Sequence, residues 1–238
     1  MLFNVPIFAK TRYGMGRCWL RSLMVHLVRM RYSKGFGVQS PSAYAFIRDV
    51  VFEELPYYAY RPLSRFVDPV LDEKACQLLF RIVNFASPSS VVDVFPASPA
   101  PICYMSSVSR RIRPFVLTAP GWQDDGAFAG VGRQGFDFNV VSNGIVRCLA
   151  DVCASGSVVV HINRTDDVGL LDELLSVLVT CCGNVGIVVV DGINRQPVKD
   201  IWRKACDGEA VSSAFDLYDT GILMFDPNYG KHYYKLNY

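Results

Sequence analysis

The spacing of hydrophobic positions changes partway along the chain. Up to about residue 86 they recur at helical intervals. Residues 17–31 put Leu20, Leu23, Met24, Leu27 and Val28 at the spacing of one helical stripe. Gln39-Ser40-Pro41 predicts a helix through about residue 54. Ser40 is placed to cap it and Pro41 to occupy its first turn, where a missing amide costs nothing. Pro56-Tyr57-Tyr58-Ala59-Tyr60 ends it, and a second helix is predicted from about Asp72 to Phe85. That helix starts on acids, Asp72 and Glu73, and turns Cys76, Leu79, Phe80 and Val83 inward.

Beyond Ser87-Pro88-Ser89 the pattern becomes short β-branched runs at Ser90–Phe95, Phe115–Thr118, Phe138–Ser142, Ser157–Ile162 and Gly186–Ile193. Runs without polar alternation read as strands buried on both faces. Helical stretches at 143–154, 166–181 and 196–207 follow several of them. Strand alternating with helix predicts a doubly wound parallel sheet. The ending differs: Val211–Tyr218, Asp219-Thr220-Gly221 and Ile222–Asp226 form a hairpin pattern. The expectation is an α/β, Rossmann-like, mainly parallel seven-stranded sheet whose only antiparallel member comes from the C-terminal hairpin. Residues 1–86 are read as an N-terminal helical extension packed on the core, and 87–238 as the α/β domain, the two forming one structural unit.

Composition sharpens this picture only in places. Half the residues are apolar (51%) and the net charge is +2, which fits a folded core and points to no strong partner class. Cys148, Cys153, Cys181 and Cys182 lie in or beside apolar runs, with no Cys-x-x-Cys pair, as expected of free thiols in a reducing cytoplasm. No stretch is long and apolar enough to predict a membrane span, and Arg17, Arg21, His26 and Arg29 interrupt any signal-peptide core. Charge is uneven at one end: Lys10, Arg12, Arg17, Arg21, Arg29, Arg31 and Lys34 precede the first acid, Asp49. The segment reads as a docking helix with a solvated basic edge or as a surface for an anionic partner. Aromatics are not interleaved as a nucleic-acid site requires, so no nucleic-acid partner is expected.

Several blocks carry a family likeness. Lys34-Gly35-Phe36-Gly37-Val38-Gln39-Ser40-Pro41, Pro56-Tyr57-Tyr58-Ala59-Tyr60, Gln77-Leu78-Leu79-Phe80-Arg81-Ile82-Val83-Asn84, and Phe215-Asp216-Leu217-Tyr218 followed by Gly221-Ile222 occur in a characteristic order. From about residue 34 onward the chain resembles a bacterial family of class I S-adenosylmethionine-dependent methyltransferases akin to small-molecule O-methyltransferases. The first block matches Gly-x-Gly-Val-His-Ser-Pro, with Gln39 in place of histidine. The resemblance implies a methyltransferase fold, S-adenosylmethionine as cofactor and a pocket at the carboxyl ends of the strands.

The expected chemistry is altered at each of its parts. The family pattern after the first strand is acid-x-Gly-x-x-x-Gly, where glycines let backbone approach the cofactor. Here it reads Asp93-Val94-Phe95-Pro96-Ala97-Ser98-Pro99-Ala100-Pro101. Asp93 remains, while Phe95 and Pro99 replace the glycines, and prolines fix φ and remove donors. The second strand runs into Ala119-Pro120-Gly121-Trp122 with no acid for ribose hydroxyls; Asp124 and Asp125 come late and suit a cap or a solvated loop. Asp-Gly-Asn-His of the family becomes His161-Ile162-Asn163-Arg164, and Asp-Asp becomes Asp191-Gly192, which leaves too few carboxylates for a metal. His161 and Asp191 are the candidate catalytic residues; Asp93, Phe95 and Asn163 mark the cofactor pocket. His161 suits a general base or, equally, a hydrogen-bonded histidine in a filled crevice. Phe95 is expected to fill that crevice, and Val38–Pro41 with Tyr57–Tyr60 to lie over it. With the strand pattern kept and the site altered, the expectation is a non-catalytic binding or assembly protein that does not hold S-adenosylmethionine. Its partner would be a small molecule or a protein, homo-oligomerisation being compatible with either. The alternative is an active small-molecule methyltransferase with an unusual pocket.

Overall fold

A computed structural model describes residues 37–67, 73–124, 126–133, 135–181 and 183–238. The helix expected over 17–31, with its basic residues, lies outside them. Ser40 caps α1 (Pro41–Phe46), which widens into a π-helical turn at Ile47–Val51. Carbonyls at the end of that turn are taken by a buried cation: Arg81 Nε donates to Val50 O at 2.7 Å and Nη2 to Val51 O at 3.2 Å. Arg81 belongs to α3 (Glu73–Ala86); α2 (Tyr60–Leu63) lies between.

Strands and helices then alternate as β1 (Ser90–Val94), α4 (Ala100–Ser106), β2 (Arg113–Leu117), α5 (Ala127–Gly132), β3 (Asn139–Val141), α6 (Ile145–Ser155) and β4 (Val158–Ile162). They continue as α7 (Val168–Thr180), β5 (Val185–Asp191), α8 (Val198–Asp207), β6 (Ser213–Asp216), β7 (Thr220–Met224) and β8 (His232–Lys235). The sheet order is β3-β2-β1-β4-β5-β7-β6-β8. The expectation of seven strands is corrected to eight. β8 pairs parallel to β6 at the sheet edge. Its exposed His232, Tyr233 and Lys235 lack the apolar run that marks a buried strand. β7 pairs antiparallel with both β5 and β6, as the hairpin predicts.

Both faces are covered. Val92, Val94, Val160, Ile162, Val188 and Val190 meet Leu149 of α6, Leu171 and Leu174 of α7 and Trp202 of α8. Val91, Val159, Ile187, Val189, Phe215 and Ile222 meet Phe46 and Ile47, Leu79 and Ile82 of α3, and Ile102 of α4. Side chains alternate between faces along a strand. Asp93, His161 and Asp191 therefore share the second face, at the carboxyl edge of three adjacent strands.

Candidate functional site

Register builds the site. Asp93 on β1 stands directly opposite His161 on β4, and Asp191 on β5 opposite Thr220 on β7. A continuous polar chain results. Asn163 Nδ2 donates to Asp93 Oδ1 at 2.7 Å and to Val94 O at 3.0 Å. His161 Nδ1 lies 2.8 Å from the same Asp93 oxygen, and its Nε2 lies 3.3 Å from Asp191 Oδ2. Thr220 Oγ1 donates to Asp191 Oδ1 at 2.6 Å. The structure thus brings together Asp93, His161, Asn163 and Asp191 of the sequence-predicted set. It adds Thr220, which no motif marks and only strand register reveals.

Electrostatics follow from the enclosure. The side chains of Asp93 and His161 are 0% and 4% exposed, and that of Asp191 is 26% exposed. Burial alone pulls an imidazolium down, but hydrogen bonds and charge from Asp191 and Asp93 outweigh it and push His161 up to about 10. It therefore holds its proton between Asp93 and Asp191. Burial raises Asp93 above the usual carboxylate range, against the pull of His161 and Asn163. Burial also pushes Asp191 upward, yet His161, Thr220 and Arg164 together hold it below its ordinary value. Asp93 Oδ2 is buried with no hydrogen-bond partner among the described residues.

Phe95 departs from the expected placement. Its backbone adopts the left-handed conformation, φ +54°, that glycine usually supplies. The ring is partly buried against the core cluster of the α6–α8 face, opposite the face that carries Asp93 and His161. Pro96, Pro99 and Pro101 are buried in and just after the loop. At the end of β2 the acid that follows is fully committed: Asp124 accepts from the amides of Gly126, Phe128 and Ala129 at 2.9–3.1 Å and so caps α5. Among the described residues no three of His, Cys, Asp and Glu gather as a metal-ligand set.

The aromatic segment expected over the crevice packs within the helical layer. Tyr57 packs tilted and Tyr60 edge-on against Phe80, and their hydroxyls donate to Glu53 and to Gln77 O. Tyr58 is fully exposed. Two arginines stand at the carboxyl edge of the sheet, Arg164 just beyond β4 and Arg195 just beyond β5. Arg164 reaches across Gly192 to Asp219 in the β6–β7 turn, whose carbonyl accepts from Gly192 N and Ile193 N. Arg195 pairs with Asp166 at 2.6 Å.

No family model matches the chain, and no curated protein matches it by sequence. Solved structures do. An S-adenosylhomocysteine-bound methyltransferase from Podospora anserina, PaMTH1, aligns at a TM-score of 0.54 and 10% identity, over 78% of this chain and 93% of its own. A candidate caffeoyl-CoA O-methyltransferase from Staphylococcus aureus gives 0.52 and 10%, over 87% of this chain and 100% of its own. A methyltransferase from Geobacter sulfurreducens gives 0.53 and 9%, over 74% and 91%. At such identity the likeness establishes the fold: this is the Rossmann-like architecture of class I O-methyltransferases.

Proposed function

We propose that the chain uses this methyltransferase fold as a non-catalytic binding protein and does not hold S-adenosylmethionine in the manner of the family it resembles. The carrying observation is Asp93. The acid at the end of β1 is fully buried, with Oδ1 already shared by His161 and Asn163. A cofactor reaching that edge meets a loop in which Phe95 and Pro99 replace the glycines, and Pro96, Pro99 and Pro101 supply no amide donors to face it. His161 gives further support. Both its ring nitrogens face carboxylates, and as an imidazolium it has no lone pair for a substrate proton. Asp191 is tied to His161 and Thr220. The network serves as a charged pin joining β1, β4, β5 and β7 beneath the mouth of the crevice.

One observation favours the second reading, an active small-molecule methyltransferase. Asp93 Oδ2 is an unpaired acceptor that a ligand donor would satisfy. Calorimetric titration with S-adenosylmethionine and S-adenosylhomocysteine separates the two. The proposal expects no binding tighter than roughly 100 μM, about −5.5 kcal/mol. Tighter binding of either compound, lost in Asp93→Asn, overturns it and makes the enzyme reading correct.

A further inference from the structure

At the carboxyl end of β5, Gly192 has φ +82°, and two arginine stems close on it. A Cβ built there would lie 3.2 Å from Arg164 Cγ, 3.8 Å from Arg164 Cδ and 3.8 Å from Arg195 Cδ. Arg164 arrives from the end of β4. Arg195 arrives from the turn closed by its own amide on Gly192 O. The two stems thus meet over one stretch of bare backbone, although their guanidinium groups are turned apart. Arg164 is drawn to Asp219 and Arg195 to Asp166. The arginine side chains are 43% and 44% exposed, Asp219 is 20% exposed and Asp166 is 92% exposed.

We propose that Arg164 and Arg195 form a binding site for the phosphate group of a small phosphate monoester, seated over Gly192 at the mouth of the crevice. Guanidinium forks match the oxygens of a phosphate and grip it bidentately. Solvent-exposed ion pairs contribute little, so Asp166 holds Arg195 in place and yields to a dianion at small cost, while the part-buried Asp219 holds Arg164 beside it. Asp166, almost wholly in solvent, is the readiest to leave; Asp191 beneath accepts its hydrogen bonds from His161 and Thr220, and its charge also attracts Arg164. Glycine at 192 lets the Arg164 stem approach more closely than a Cβ would allow, and the Arg195 stem meets the same backbone at ordinary contact distance. The site rests on the reading of this edge as a place where ligands bind, but it needs no cofactor.

The test is a titration of the full chain with phenyl phosphate, followed by the Nε–Hε NMR signals of arginine. Resonances of Arg164 and Arg195 are expected to move together along one saturating curve. Arg195→Ala should weaken binding roughly tenfold, the worth of one charge-assisted contact pair. Asp166→Asn, an exposed change that leaves the fold intact, should tighten it several-fold by freeing Arg195. Movement of one arginine alone, an unchanged affinity in Asp166→Asn, or equal binding by the Arg164→Ala/Arg195→Ala double variant overturns the proposal. Binding of S-adenosylmethionine would sink the non-catalytic reading and leave this result untouched, so the two failures are distinguishable.

Discussion

At the scale of single residues, His161 is the most consequential group. Its folded-state value is raised, to about 10, from near 6.5 in an unfolded chain. The stabilisation it carries is therefore complete below about pH 6.5 and is lost as pH rises through about 10. Between those limits the folded state holds one more proton, and stability should fall by up to about 1.4 kcal/mol per pH unit. Urea unfolding from pH 6 to pH 11 measures the slope. His161→Gln should flatten it and, at pH 6, cost on the order of 3–5 kcal/mol by leaving the buried Asp93 and the part-buried Asp191 without the imidazolium between them. An unchanged alkaline slope in the variant would show that His161 is not the proton holder. Phe95 makes a second residue-scale prediction. A left-handed backbone penalises any side chain, so Phe95→Gly should be more stable than Phe95→Ala by about 1 kcal/mol, both read from urea midpoints. Equal midpoints would mean that the φ of +54° carries no strain.

At the scale of elements, β7 and α8 are fitted to one another by the absence of a side chain. A Cβ on Gly221 would stand 2.5 Å from Trp202 Cη2, and Trp202 is only 1% exposed. Gly221→Ala should therefore cost about 1–3 kcal/mol through overpacking, with a shift in Trp202 fluorescence. A variant with wild-type stability would show that α8 can slide. The sequence reaches far at this scale. Valine-rich runs place β1, β4 and β5 within a residue or two, because strands buried on both faces need unbroken apolar sequence. The run Asp219-Thr220-Gly221 marks the hairpin, although Thr220 and Gly221 themselves belong to β7 and the turn falls at 217–219. β8 escapes because Lys231, His232 and Lys235 make an edge strand look like a tail, and edge strands need only one apolar side. The site is legible in part. Asp93, His161 and Asp191 stand at strand ends by their spacing, but the chain of bonds through Thr220 depends on register, which no local pattern encodes. Phe95 was expected to fill the crevice beside the acids, yet its ring turns to the opposite face, a choice made by packing partners distant in sequence.

For the whole molecule, the sheet order brings together strands far apart along the chain. β1 and β4 are neighbours at its centre, with β2 and β3 on one side and β5, β7, β6 and β8 on the other. The two flanks are filled in opposite directions from that central seam, and Phe46 ties the helical segment before β1 to Phe215 of β6 at 5.0 Å. Core contacts therefore link the first described helix to the last third of the chain.

The seam also sets an order of events in time. Asp93 and His161 are 68 residues apart in sequence, so joining them closes a loop whose entropic cost is about 4 kcal/mol before any constant is added. Local helices have no such cost, and sequential strands such as β1 and β2, paired through Ser90 and Arg113, close their shorter loop for about 1 kcal/mol less, so they can assemble first. The expectation is that the ion cluster forms late, after the folding barrier has been crossed. In a chevron analysis of wild type against Asp93→Asn, the lost stability should appear almost entirely as faster unfolding, with the refolding limb nearly unmoved and a φ-value near zero. A slowed refolding limb would place the seam in the nucleus instead. On the expected result, the charged pin acts as the bolt drawn after the door has closed: it governs how long the native state lasts, and not how fast it is reached.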